Sequence, residues 1–172
     1  GIGVDGQIER YDFKNPKHSR KGHAQKDWDK SIPPKEYFDE LSRVSKNQIV
    51  WGANYFVEHM HEGHKGWIVW DKGQRDLTMS DCELAYSSFD MPTRVFVLNR
   101  VALLQEGTIH PTQKPVALYR WIYQHYAKQG DKILDTHLGS GSSRIAAYDA
   151  GLDFVGYEID ETYFRLQEER FE

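Results

Sequence analysis

Ile133-Leu134-Asp135-Thr136-His137-Leu138-Gly139-Ser140-Gly141-Ser142-Ser143 decides the fold. An apolar strand closes on an acid, turns through two closely spaced glycines and opens a helix. Glycines at such a turn let the backbone approach a ligand, because no Cβ stands in the way. The next apolar run, 154–157, ends at Glu158, 19 residues beyond Gly139. A carboxylate there can accept hydrogen bonds from both vicinal hydroxyls of a ribose. Strand, Gly-x-Gly, helix, strand and terminal acid together predict a site for a nucleoside-bearing cofactor.

The residues also discriminate among such cofactors. The dinucleotide fingerprint G-x-G-x-x-G needs a third glycine at position 144, where Arg144 stands. Asp135 would repel a pyrophosphate but attract an ammonium group, such as the amino group of S-adenosylmethionine. Outward from this unit, helical spacing predicts helices over 35–46, 116–127, 142–150 and 161–171. Short apolar runs predict strands over 48–51, 67–70, 93–98, 132–135 and 154–157. Strands alternating with helices imply an α/β fold built on a mostly parallel sheet with helices on both faces.

Bulk properties narrow the class. The chain has 172 residues, within the roughly 100–200 residues of one domain. With 39% hydrophobic and 28% charged residues, it can bury a core. Cys82 is the only cysteine, which excludes disulfide and cysteine-based zinc frameworks and suits a reducing compartment. No run approaches the ~20 apolar residues of a membrane span, and no signal-peptide pattern opens the sequence, so a cytoplasmic protein without membrane contact is expected. His59, His61 and His64 lie in a glycine-bearing loop without fixed geometry, and no metal site is expected.

The net charge of −4 hides a local asymmetry. Within 14–26, Lys14, Lys17, Arg20 and Lys21 occur among Asn15, Pro16 and Gly22 with no acid before Lys26. This reads as a basic loop. Such a run is either a solvated segment or one that tracks phosphates, gaining affinity by counterion release.

The segments DTHLGSGS (135–142), HPTQKPVAL (110–118) and GYEID (156–160) occur in the order HPTQKP, GSGS, GYEID. In this the chain resembles the DNA N6-adenine and N4-cytosine amino-methyltransferases of the β class, in which the cofactor motifs lie C-terminal. The resemblance implies a Rossmann-like S-adenosylmethionine-dependent methyltransferase sheet in circularly permuted order. It divides one domain, 1–172, into a target-base half, 1–108, and a cofactor half, 109–172. It implies cofactor contacts from His110, Thr112, Lys114, Pro115, Asp135, Gly139, Gly141 and Glu158. DNA is the implied partner, through Lys14, Lys17, Arg20 and Lys21, with a homodimer as a further possibility. Adenine N6 is the leading target and cytosine N4 the second. The segment around Thr78–Tyr86 is similar to relatives of phage and restriction-modification type.

That family grips its target amine with Asp/Asn-Pro-Pro-aromatic, which this sequence lacks, since Pro33-Pro34 is flanked by Ile32 and Lys35. Gly1-Ile2-Gly3 is similar to residues that follow that motif, so the chain is expected to start just after it. No catalytic residue is therefore assigned. The family sheet places the strand carrying that motif between 132–135 and 48–51, so these two are expected not to pair directly. Candidates for the target-base pocket are Asn54, Tyr55 and Phe56 after one strand, and Asp71 and Lys72 after the next. The rival readings are a catalytically silent remnant that binds cofactor or DNA, and a methyltransferase for RNA or a small molecule.

Overall fold

The computed structural model describes residues 31–60, 65–76 and 78–172. Four strands form one sheet: β1 (Ile49–Trp51), β2 (Trp67–Asp71), β3 (Cys82–Ser87) and β4 (Arg94–Val97), in the order β1-β3-β2-β4. A separate parallel pair joins β5 (Lys132–Asp135) to β6 (Asp153–Gly156). Five helices accompany them among the described residues: α1 (Lys35–Val44), α2 (Arg100–Gln105), α3 (Val116–Tyr126), α4 (Ser142–Asp149) and α5 (Glu161–Phe171). The α/β class follows the sequence reading, but the pairing of the larger sheet corrects it. β3 runs antiparallel between β1 and β2, and only β4 is parallel to its neighbour. No helix lies between β2 and β3 among the described residues, and antiparallel strands need no helical crossover.

The period of two in a strand sorts this sheet's side chains onto opposite faces. Ile49, Trp51, Ile68, Trp70, Ala85 and Phe96 pack with Val116, Leu118, Ile122 and Tyr123 of α3 and with Ala146 and Ala147 of α4. On the other face Val50, Trp67 and Tyr86 meet Phe38 of α1, with Ala53 and Phe56 from two short 3-10 turns, Ala53–Tyr55 and Val57–His59. Helices thus lie on both faces of the larger sheet, while Val95 and Val97 at its β4 edge stay exposed.

Ile133 of β5 and Phe154 of β6 pack against the first cluster, so both sheets share one core. Their backbones do not meet. Among the described residues β1 pairs with β3 alone and β5 with β6 alone. A cavity of about 380 Å³ is lined both by Asn47, just before β1, and by Asp131, just before β5. The strands at 48–51 and 132–135 are not hydrogen-bonded neighbours, as the sequence reading expected.

Candidate cofactor and target-base site

The site is built on the turn between β5 and α4. Gly139 (φ 54°) and Gly141 (φ 73°) both adopt left-handed backbone, where a Cβ is strained. A Cβ on Gly141 would also stand 3.1 Å from Gln167 of α5. Gly141→Ala is therefore expected to destabilise the fold by about 1–3 kcal/mol, read as a lowered midpoint in thermal unfolding; an unchanged midpoint would show that the turn relaxes freely.

Two carboxylates flank this turn. Asp135, at the end of β5, accepts from the His137 N–H at 3.0 Å and from the Ser143 hydroxyl. Glu158, just past β6, accepts from the Gly139 N–H at 2.8 Å and from the Asp160 N–H at 2.9 Å. The Tyr157 N–H donates to the Asp135 carbonyl (2.8 Å) and the Leu138 N–H to the Tyr157 carbonyl (2.9 Å), so strand ends and turn move as one unit. From behind, Arg170 of α5 donates to the Ser140 carbonyl and the Ser142 hydroxyl, both at 2.8 Å. The sequence reading did not single out Arg170 or Gln167.

The segment before α3 closes on the same turn. His110 is buried with its ring 4.3 Å from that of Tyr163, and a Cβ on Gly139 would lie 3.6 Å from it. The Thr112 hydroxyl lies 3.1 Å from His110 Nδ1. Gln113 donates to the Gly107 carbonyl (2.8 Å) and accepts from the Ile109 N–H (3.0 Å), fixing the loop. Pro115 is fully buried and precedes α3, a helix-boundary position where its missing N–H costs nothing.

Lys114 leads to a group the sequence reading missed. Its Nζ lies 3.3 Å from Glu83 of β3, whose other oxygen is 3.0 Å from Lys72 Nζ. Lys114 also sits over the Trp51 ring at 5.3 Å and Lys72 over the Trp70 ring at 5.6 Å, within cation–π reach. Burial pushes the Glu83 carboxyl up, but the charges of Lys114 and Lys72 outweigh it and hold the group at about 2.

The target-base candidates separate. Asn54 and Tyr55 are exposed beyond the end of β1, while Phe56 is buried against Phe38, with ring centroids 5.1 Å apart. Asp71 is engaged by Arg75 at 2.6 and 2.9 Å and by the Gly73 N–H at 2.8 Å, bonds that lower its carboxyl to about 2. Lys72 turns to Glu83. Tyr37 of α1, which the sequence reading passed over, places its hydroxyl 2.7 Å from Thr136 Oγ1, directly after Asp135. Lys14, Lys17, Arg20 and Lys21 lie outside the described residues, as do His61 and His64. Among the described residues no group of three His, Cys, Asp or Glu is placed to hold a metal ion, and no helix is long and apolar enough to cross a membrane.

A glycine turn thus joins strand to helix in an α/β fold, with a carboxylate at or just past the end of each of two adjacent parallel strands. A family model described as DNA methylase, that of the N6/N4 methyltransferases, matches residues 11–169, and the chain belongs to that family. It is similar to the type II methyltransferase M2.DpnII of Streptococcus pneumoniae, 38% identical over 63 residues, or 37% of this chain and 24% of that protein. Similarity to the DNA adenine methyltransferase YhdJ of Escherichia coli K12 is 35% over 82 residues, or 47% of this chain and 28% of the relative. The matched segments thus span about a quarter of these curated relatives. Among solved structures, the M1.HpyAVI–SAM complex superposes with a TM-score of 0.66 at 20% identity, covering 81% of this chain and 83% of that one. TTHA0409 of Thermus thermophilus, complexed with S-adenosyl-L-methionine, gives 0.51 at 18% identity, covering 80% and 77%. At these identities the likeness shows a common fold.

Proposed function

We propose that this protein takes part in transferring a methyl group from S-adenosylmethionine to the exocyclic amine of a DNA base, adenine N6 first and cytosine N4 second. The placement of Asp135 and Glu158 on either side of the Gly139–Gly141 turn carries the reading. Glu158 suits the ribose hydroxyls and Asp135 an ammonium, whereas a pyrophosphate would meet two carboxylates. The donor supplies a methyl activated on a sulfonium, whose positive charge is lost as the methyl moves. The chain's task is therefore positioning and exclusion of water rather than strong-base catalysis. Asp135, held by Ser143 and the His137 N–H, orients the amino end of the donor, and Glu158 orients its ribose. Tyr55, exposed beyond β1, is placed to stack on a base taken out of the duplex, which such chemistry requires. The adenine target draws support from the similarity to a DNA adenine methyltransferase.

The Asp/Asn-Pro-Pro-aromatic group that grips the amine in this family is not in these 172 residues, so the chain alone is expected to bind donor without transferring methyl. Calorimetry with S-adenosylmethionine, together with tritiated-methyl transfer to unmethylated DNA, tests this on the chain and on a form extended N-terminally by that motif. Binding by both, with label transferred only by the extended form, is the expected result. NAD binding without S-adenosylmethionine binding would overturn the assignment. The missing tetrapeptide also favours a second reading, a silent protein that binds cofactor or DNA; an extended form that binds donor but transfers no label would select it.

For DNA, the basic segment supports phosphate contacts by Lys14, Lys17, Arg20 and Lys21. Replacing all four with alanine is expected to lower the salt dependence of duplex binding by about 0.9 in log–log slope for each phosphate no longer neutralised. An unchanged slope would assign the segment to solvent.

A further inference from the structure

The phenol of Tyr37, in the first turn of α1, is tied across the molecule to the two residues that follow Asp135. Its hydroxyl lies 2.7 Å from Thr136 Oγ1 and 3.5 Å from His137 Nδ1, and Thr136 Oγ1 is itself 3.0 Å from that nitrogen. The Tyr37 and His137 rings meet edge to face, with centroids 5.5 Å apart. Burial pushes the phenol above its ordinary value, so it stays a neutral hydroxyl with a proton to share. Phe38, the next residue, seals α1 onto the larger sheet, whereas Tyr37 flanks that cluster and directs its oxygen to the β5 turn.

Each end of this link leads to one half of the site. The His137 N–H donates to Asp135 Oδ1 at 3.0 Å, so the segment that Tyr37 grips also holds the carboxylate. On the other side, the Phe38 ring packs on Phe56 at 5.1 Å, and Phe56 directly follows the exposed Tyr55. Contacts therefore run unbroken from Asp135 to the target-base rim. Contiguity becomes coupling only where an element on the route has two states. α1 is such an element, because the cluster beneath it has three buried members and segments of that kind open locally. A ligand that immobilises Asp135, Thr136 and His137 lowers the ordering cost of the Tyr37 bond and so favours the docked helix.

We propose that Tyr37 is a positioning residue that couples the two halves of the site: donor held at Asp135 steadies Thr136 and His137, and these fix α1, and with it the Asn54–Tyr55 rim, ready for the target base. The inference rests on the methyl-donor reading and deepens it by giving donor and acceptor a shared part. Tyr37 itself touches neither ligand.

Hydrogen exchange of the full chain, with and without S-adenosylmethionine at a concentration shown by calorimetry to saturate, reads this coupling. The donor is expected to slow the α1 amides by about two- to tenfold, the span of one neutral hydrogen bond. Tyr37→Phe and Thr136→Val remove that bond from either side; both are expected to bind donor and leave α1 exchange unchanged by it. A tyrosine that only packed would alter the donor-free rate and keep the donor's effect, so an effect surviving both substitutions would overturn the proposal. Unchanged α1 exchange in the unsubstituted chain with donor bound would overturn it too, without any variant, so a variant that fails to fold leaves the test intact. 5′-Methylthioadenosine, which lacks the ammonium, is expected to bind without slowing α1, and equal slowing by both ligands would overturn the route through Asp135. Failure of the unsubstituted chain to bind S-adenosylmethionine would instead remove the methyl-donor reading, a result distinct from binding without coupling.

Discussion

Asp135→Ala is expected to cut affinity for S-adenosylmethionine roughly 10- to 100-fold, because a charge-assisted hydrogen bond contributes about 1.5–3 kcal/mol. The Ser143 hydroxyl and the His137 N–H, which converge on this carboxylate, also lose their acceptor. The loss should be confined to ligands that carry the ammonium. 5′-Methylthioadenosine, which ends at the thioether, should bind Asp135→Ala and the unsubstituted chain within a fewfold of each other. Equal losses for both ligands would show that Asp135 shapes the turn rather than meeting the donor.

Glu83→Gln is expected to be the most destabilising single change among the site residues. It leaves Lys72 and Lys114 facing each other without a counter-charge, and breaking a fully buried pair costs about 3–5 kcal/mol. Because 34% of the Glu83 side chain meets solvent, about 2–3 kcal/mol is the expected loss. Its pH dependence has a definite sign. The folded carboxyl sits at about 2, below its usual 4.5. Its stabilisation is thus full above pH 4.5 and disappears as pH falls towards 2. Urea unfolding of the two proteins should differ most near neutrality and converge in acid. A gap that stayed constant from neutral to acid pH would show that size or packing, not charge, made the difference.

The segment from β5 through the glycine turn into α4 was legible from sequence because its residue types and its periodicity coincide. The strand at 132–135, the two glycines and the helix opening at Ser142 are contiguous, and each obeys a local rule. α5 begins where the sequence reading placed it, capped by Asp160 through the N–H groups of Thr162 and Tyr163. β3 was missed for a physical reason. Its inward positions are Glu83, Ala85 and Ser87, one charged and two small, while Leu84 and Tyr86 take the other side. Because β3 is an interior strand with no exposed residue on either side, the apolar-in, polar-out alternation of a half-exposed strand is absent. Glu83 becomes intelligible only once Lys72 and Lys114, far apart in sequence, meet it in space. Phe56 shows the opposite effect: a strand-end aromatic read as pocket lining belongs to the core, packed on Phe38 from a helix that precedes it.

The two faces of the larger sheet are unequally sealed. Among the described residues the cluster towards α3 and α4 has ten buried members and the one towards α1 has three, so the two should not melt together. Segments with little buried apolar surface open by local unfolding well below the global free energy. Amides of α1 and the two 3-10 turns should therefore exchange with deuterium before those of α3 and α4. Asn54 and Tyr55 ride on the fast-exchanging unit, while Asp135 and Glu158 are anchored to the slow one. Under the proposed function the donor would then meet a rigid cradle and the bulky acceptor a rim that breathes, an asymmetry that suits loading the small ligand first.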